Sequence, residues 1–558
     1  MCRRLEGTAP QLYLQYIGFK VHNRTLHSCS FTLAARSRTP LAHSWLGRTV
    51  GGALVVEMDK LLPLLLSFPV HPPPIQPLSD EQYDEGIKAQ VKNLRKLPGK
   101  TLLQETSGGE DILNIINPAL NSIPYAFALL ARTTEVQNTL KSAQNNTPPV
   151  DLMPLWEKIV HFLENFDSRQ VRYIGPETLE IITIVAGLAR HLGQPGAAVL
   201  PIASAILRLD PAASTLTSAH LILARAALGS QEYSSAAPIL ERHILYIPTV
   251  GRHPKHPCSL RLRAHEYLTT ESGLTKKLST QDILEYFSYS ASIFIGLQQW
   301  ENAAECLENA ITYPVRGIAV SKIMVEAYKK WTLVKVLLTG KAPALPPNTN
   351  SSASKAFHIL GKPYDVVAGL FEVGSASRLN AEITAGMTIW SADGNAGLMR
   401  VVLGAHQKHQ IRRLSSLYET IPVSYISKTT VSAETGIKLE SDSAVEALLS
   451  NMISQGELLG TLVSAQGDQP AYLRFAPTEK VSDEAQVERE LAGAMARIET
   501  MVEDIKATDH LLTHEKEYLV WVRKQKKKQV GASYADAYGG DEMGWIVGPD
   551  DEDLMAVM

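Results

Sequence analysis

A helix-pair signature that occurs twice with one internal spacing constrains this chain more than any other feature. One copy reads Gly229-x₃-Tyr233-x₂-Ala236-Ala237-x₂-Leu240 and closes at Pro248. The other reads Gly296-x₃-Trp300-x₂-Ala303-Ala304-x₂-Leu307 and closes at Pro314. Each copy predicts a helix, a short turn at the glycine and a second helix. Glycine permits the turn, and the paired alanines let two helices approach closely. A degenerate copy, Gly193 to Pro211 with Ala197 and Ala198, sits upstream by about one ~34-residue helix–turn–helix period. Such a unit cannot bury its apolar face alone. It must stack into a solenoid, and solenoids present extended surfaces that bind other proteins.

Composition agrees with that frame and narrows the partners. A length of 558 residues exceeds a single core and predicts several domains. A hydrophobic share of 45% with 20% charged residues supplies ample core, and a net charge of −3 gives no general attraction to nucleic acid or anionic membrane. Cys2, Cys29, Cys258 and Cys306 are too scattered for a disulfide framework or a zinc spacing, so they read as ordinary thiols. No stretch reaches the roughly 18 apolar residues of a membrane span; Leu61 to Val70 is short and carries Pro63 and Pro69. No secretory signal is evident, so Asn23-Arg24-Thr25 and Asn350-Ser351-Ser352 are expected to stay unglycosylated.

Residues 1–57 carry seven Lys and Arg against Glu6 and Glu57, with no helical period. They read as disorder or as an extension upstream of a start at Met58, with an organelle-targeting segment as the alternative. The proline-rich stretch 71–77 predicts a stiff linker, and Ser79 followed by Asp80 and Glu81 predicts a helix start. From about 110 to 340 nearly every segment has a helical period, as in Leu152–Phe166, Thr178–His191, Thr217–Leu228 and Gln281–Gly296. Ser279, with Asp282 in the first turn, marks another start, and the basic, proline-bearing Gly251–Pro257 a loop. Ile318–Leu338 predicts a helix stopped by Gly340, and Pro343–Ser354 a linker. Helices over Lys355–Phe371, Ala376–Trp390 and Leu398–His406 follow.

The pattern changes after Gln407. Helices are expected over His409–Tyr418, Pro422–Val431 and Ser441–Gln455, the last capped by Ser441 or Asp442 and stopped by Gly456. Short strands over Leu458–Ala465 and Ala471–Phe475 follow, around a Gly-Asp-Gln-Pro turn. Three helices and a β-hairpin are the layout of a winged helix. Glu484 to Gln529 then reads as one long helix in which Leu491, Ile498, Ile505, Leu512 and Leu519 fall seven apart. Val487, Ala494 or Met495, Met501 or Val502, and Val522 lie beside them, a heptad seam that wants partner helices. A basic run, Arg523 to Lys528, closes it. The tail beyond carries Asp541, Glu542 and Asp550 to Asp553 with no Lys or Arg, and predicts disorder.

The expected division is therefore an N-terminal extension (1–57), an N-terminal helical region (58–210), TPR-like repeats (211–406), a winged helix (407–480), a bundling helix (481–529) and an acidic tail (530–558). That order resembles the PCI proteins, large subunits shared by the proteasome lid, the COP-nine signalosome and translation initiation factor three. Within them it is most similar to the signalosome's subunit-three family, on the run Trp300–Pro314, then Ala319–Trp331 and Val334–Lys341. His409-Gln-Ile-Arg-Arg-Leu, leading to Tyr418 and Ile421, resembles the start of that family's winged helix. The resemblance is good over about 210–480, weak over 80–210 and absent before Met58; the divergent loops suggest a fungal-type member.

The resemblance implies a mainly α, non-catalytic scaffold subunit. In such assemblies the winged helices pack side by side and the terminal helices gather into one bundle. The assembly removes a ubiquitin-like modifier from cullins, with the metalloprotease on another subunit. Expected partners are other signalosome subunits of the PCI and metalloprotease types, and indirectly cullin-RING ligases. No cofactor, small-molecule substrate, nucleic acid or membrane is implied, and the expected location is nucleus and cytoplasm. A subunit of the proteasome lid or of initiation factor three remains the alternative on shared architecture.

Catalytic chemistry finds no support in the residues. A metalloprotease of that type needs His-x-His, and none occurs. His406-x-x-His409 and His253-x-x-His256 lack a third ligand nearby and read as solvent or boundary histidines. No phosphate loop, nucleophile elbow or kinase signature occurs; Gly51-Gly52 and Gly108-Gly109 read as turns. A nucleic-acid-binding winged helix is a second function class, but Lys438 to Glu457 offers one base against Glu440, Asp442, Glu446 and Glu457. The basic Lys408, Arg412 and Arg413 suit an acidic subunit face better, and Arg523–Lys528 a solvated helix end or a nuclear-import signal. Leu458, Leu462, Leu473 and Phe475 mark the expected docking edge of the winged helix. Tyr233 and Trp300 read as inter-helix packing, and Trp545, alone among acids, as a tail docking candidate.

Overall fold

The computed structural model describes residues 58–69, 78–106, 108–142, 151–248, 254–314, 320–434, 436, 438, 441–465, 470–476, 484–514, 516 and 518–524. The N-terminal 1–57, the proline-rich 71–77, the turn at 466–469 and the acidic tail with Trp545 lie outside the described residues. The chain forms two units, Met1–Phe475 and Ala476–Met558.

The first unit is almost entirely helical. Its longer helices are α1 (Met58–Leu65), α2 (Asp80–Leu94), α3 (Ser122–Ser142), α4 (Met153–Asn165), α5 (Gly175–His191), α6 (Val199–Leu209) and α7 (Ser218–Ser230). They continue as α8 (Thr280–Gly296), α9 (Trp300–Thr312), α10 (Lys322–Thr339), α11 (Ser351–Leu360), α12 (Lys362–Val373), α13 (Ala376–Ala385) and α14 (Ala396–Leu414). Caps set many of the starts. The Ser79 and Ser279 hydroxyls accept from the amides of Gln82 and Asp282, whose side chains accept from the cap amides in return. Arg208 caps an end: its guanidinium donates to the carbonyls of Glu164, Asn165 and Phe166, the unpaired acceptors at the C-terminus of α4.

Consecutive helices α7, α8, α9 and α10 pack pairwise, burying Leu223, Ile293, Leu307 and Trp331 in one continuous core. The repeat signature differs from its expectation in two respects. Gly229 and Gly296 lie within the last turns of α7 and α8, and the left-handed turn residue of each copy is a glutamine, Gln231 (φ 62°) and Gln298 (φ 59°). Gly296 serves close approach instead: a Cβ there would meet the Tyr233 ring at 2.6 Å. The second helix of the first copy is also a single turn, Ala237–Leu240. The chain leaves the helix because the amides of Leu245 and Tyr246 bond the Ser214 carbonyl, and Leu216 bonds the Tyr246 carbonyl. A helix expected unbroken over Lys355–Phe371 is split at Gly361, where a Cβ would strike Tyr328 at 2.5 Å.

The winged helix closes the first unit with its own small core of Ile411, Ile421, Val423, Ile426, Val445, Leu449, Met452, Leu473 and Phe475. Strand β1 (Thr420–Pro422), helices α15 (Val423–Thr429) and α16 (Asp442–Ser454), and strands β2 (Gly460–Val463) and β3 (Tyr472–Phe475) build it. The sheet is antiparallel in the order β1–β3–β2, with Ile421 opposite Leu473 and Leu462 opposite Leu473 on the other side. Strand β1 is an addition to the expected hairpin. Its three residues are too short for a period, and it exists only because β3 pairs with it. Helices expected as separate, Leu398–His406 and His409–Tyr418, form the single α14. Leu398, Met399 and Val402 join the array core, and Ile411 joins that of the winged helix.

In the second unit α17 (Glu484–His514) is one helix, and residues 518–524 are helical.

Candidate assembly site

The apolar seam of α17 lies open. Leu491, Ile498 and Ile505 are 59%, 59% and 57% exposed, and Val487, Met495, Met501, Val502 and Leu512 are exposed with them. Leu519, in the helical residues 518–524, is exposed beside Val520 and Trp521. Fully burying one such side chain is worth about 1.5–3 kcal/mol, so this face holds a large unused driving force. The stripe is also broad, because Leu491 with Met495, and Ile498 with Met501 and Val502, cover adjacent rows. A strict a/d seam serves a two-stranded coil, whereas a broader face can touch two neighbours at once. Four of the residues expected for bundling, Leu491, Ile498, Ile505 and Leu512, are thus exposed along α17 at seven-residue spacing, with Met495 and Val502 exposed beside them; Leu519 is exposed in the helical residues 518–524.

The expected docking edge of the winged helix needs correction. Leu473 (0% exposed), Phe475 (4%) and Leu458 (5%) belong to the module's interior, and Leu462 is half-buried against the same core. Strand β3 is central rather than an edge, because β1 covers its far side. The sheet's edge strands are β2 and β1, and the backbone groups on their outer sides are where an added strand would pair.

Two of the three basic residues expected on the docking face have partners within the chain. Lys408 pairs with Glu457 at 2.8 Å, and Arg413 donates through Nη1 to the Glu372 carbonyl at 2.7 Å. Arg412 is half-buried, with its Nε unpaired. Lys408 and Arg413 thereby fasten α14 within the chain. Their neighbours do the same: His409 Nε2 donates to the Leu337 carbonyl at 2.8 Å, and Gln410 Nε2 donates to the Gly374 carbonyl at 2.9 Å. One face of α14 thereby satisfies carbonyls at the ends of α10 and α12, which ties the winged helix to the array.

The two histidines of this helix are interior rather than boundary residues. His406 is 1% exposed, stacks edge-on against Phe371 at 5.1 Å between ring centroids, and leaves both ring nitrogens unpaired. Burial, with His409 and Arg413 nearby, pushes its pKa down to about 4. Burial also lowers that of His409. Sequence spacing misses this because α14 lacks a single apolar side: it is covered by the array along one half and by the winged helix along the other.

Among the described residues no cluster of three His, Cys, Asp or Glu side chains is arranged to hold a metal ion, and no helix is long and apolar enough to cross a membrane. Cys258 and Cys306 are buried free thiols, and burial raises the pKa of Cys306 to about 12.

Residues 87–353 match the family model described as the N-terminal helical repeats of COP9 signalosome complex subunit 3. Over 506 residues the chain is 31% identical to the COP9 signalosome complex subunit 3 of Neurospora crassa, covering 89% of this chain and 99% of that protein. It is 30% identical over 516 residues to that of Emericella nidulans, with the same coverage. It is 24% identical over 357 residues to that of Dictyostelium discoideum, covering 63% of this chain and 77% of the relative. A helical-repeat array running into a winged helix, matched over 89% of the chain by the Neurospora crassa and Emericella nidulans proteins, shows that the chain belongs to the COP9 signalosome subunit 3 family.

Proposed function

We propose that the protein is a non-catalytic scaffold subunit of a COP9 signalosome, supporting removal of the ubiquitin-like modifier from cullins and so the control of cullin-RING ubiquitin ligases. The near-complete correspondence with relatives bearing that subunit's name carries the reading. The exposed seam of α17 supports it independently, because a broad apolar face is stable in water only once other helices cover it. In this reading Leu491, Ile498, Ile505, Leu512 and Leu519 enter a bundle with helices of other subunits, and the outer edge of β2 lies against a neighbouring winged helix. The metalloprotease belongs to another subunit, cullin-RING ligases are reached through the assembly, and the complex works in nucleus and cytoplasm.

The test is affinity purification of the tagged chain lacking residues 1–57, beside the same chain carrying Ile498→Asp and Ile505→Asp. Recovery of signalosome subunits with the first and their loss with the second is the expected result, with unchanged circular dichroism. Retention of the subunits by the double variant would remove the seam from the interface. Recovery of proteasome-lid or initiation-factor subunits would move the function to another assembly.

A further inference from the structure

The groove along the outer face of α2 has no part in the reading above. It encloses about 430 Å³ and is lined by Lys88, Val91, Lys92, Arg95, Lys96 and Tyr173, four cations with no acid among the lining side chains. Val91 is buried and Tyr173 half-buried, giving the groove an apolar floor and an aromatic wall. Tyr173 is fixed there by its hydroxyl, which donates to Asp84 at 2.8 Å. Two cations have partners at the rim: Lys88 meets Asp84 at 2.6 Å, and Arg95 meets Glu177 at 2.9 Å. Both cations are at least half exposed while Asp84 and Glu177 are largely buried, so each pair stays in place and the outer side of its cation is open to a further anion. Lys92 and Lys96 are exposed and have no ion-pair partner among the described residues. Cations near the end of α2 also complement its dipole. That role, however, needs neither Lys88 in mid-helix nor a groove beside the lysines.

We propose that this groove docks an extended acidic peptide segment of a partner chain, with alternate carboxylates on Lys88, Lys92 and Lys96 and an apolar side chain against Val91 and Tyr173. Spacing decides between a compact and an extended anion. The three lysines lie four residues apart, about 6 Å along the helix for each step. Alternate side chains of an extended peptide repeat at about 6.6 Å on one side, a near match. A single phosphate group would need cations converging on one point, whereas these are strung along about 12 Å of helix. The site lies outside both the seam and the winged helix, so it stands or falls separately from the assembly role.

Fluorescence anisotropy with the full chain tests it, using a labelled peptide that alternates Glu with Ser around one Phe. The wild type should bind and lose affinity as salt rises, and Lys92→Glu with Lys96→Glu should weaken binding at least about tenfold. The milder Lys92→Gln with Lys96→Gln guards against a folding defect and should weaken binding in the same direction. Failure of the wild type to bind, or equal binding by the charge-reversed variant, overturns the proposal. So does displacement of the peptide by tripolyphosphate at lower concentration than by unlabelled peptide, which would make this a compact-anion site.

Discussion

Tyr233 lies so close to Gly296 that any side chain there would collide with its ring, whereas a Cβ built at Gly229 meets nothing within 4 Å. Two glycines at equivalent positions of the same signature therefore do different work. Gly296→Ala should destabilise the array by about 1–3 kcal/mol through overpacking. Gly229→Ala, within helix α7, should be neutral or stabilising by about 0.5–1 kcal/mol, because alanine is the better helix former. Chemical denaturation of the two variants checks this, and equal midpoints would place Tyr233 elsewhere. The glycine–aromatic spacing is legible in the sequence. The left-handed turn at Gln231 and Gln298 is not, because glutamine has no local preference for that conformation and tertiary packing imposes it.

At the scale of elements, α14 decides how the winged helix meets the array. Its buried His406 makes that junction sensitive to acid. The folded ring stays neutral down to about pH 4, while an unfolded histidine protonates near 6.5, so the unfolded chain binds more protons between those values. The histidine's contribution is complete above about pH 6.5 and is lost as pH falls toward 4. His220, also buried with its pKa lowered to about 4, acts in the same sense. His406→Leu removes two unpaired nitrogens from the interior and should leave the protein at least as stable at pH 7. It should also flatten the fall in midpoint between pH 6.5 and 4.5. An unchanged pH slope in thermal unfolding would show that His406 is not the group responsible. Period and capping residues locate most of the helix ends, including those at Ser79, Ser279, Ser441 and Gly340. The continuity of α14 escapes them because its buried side changes from one half to the other, which erases a single apolar stripe.

For the whole molecule, the exposed seam of α17 sets behaviour in isolation. An apolar face of this breadth favours association when its partner helices are absent. The purified chain alone should sediment as larger species with increasing concentration, and Ile498→Asp with Ile505→Asp should hold it monomeric. Identical sedimentation of the two proteins would place self-association elsewhere. The heptad makes the seam legible in the sequence, since seven-residue spacing of Leu491 to Leu519 is a property of order along the chain alone. The docking edge of the winged helix is less legible. Leu473 and Phe475 have the composition of a contact surface, and only the pairing of β1 with β3 makes them interior.

Order along the chain is enough to establish the class of this protein: a stacked helical array, a winged helix and a terminal helix with one apolar face. Periodicity, caps and heptads are local properties, and local properties can be read residue by residue. Long-range packing settles the rest: which cations remain free, which histidines are dry and which strand is central. Those outcomes depend on residues far apart in the chain, such as Glu372 with Arg413, Leu337 with His409 and Ile421 with Leu473, and no local pattern records them.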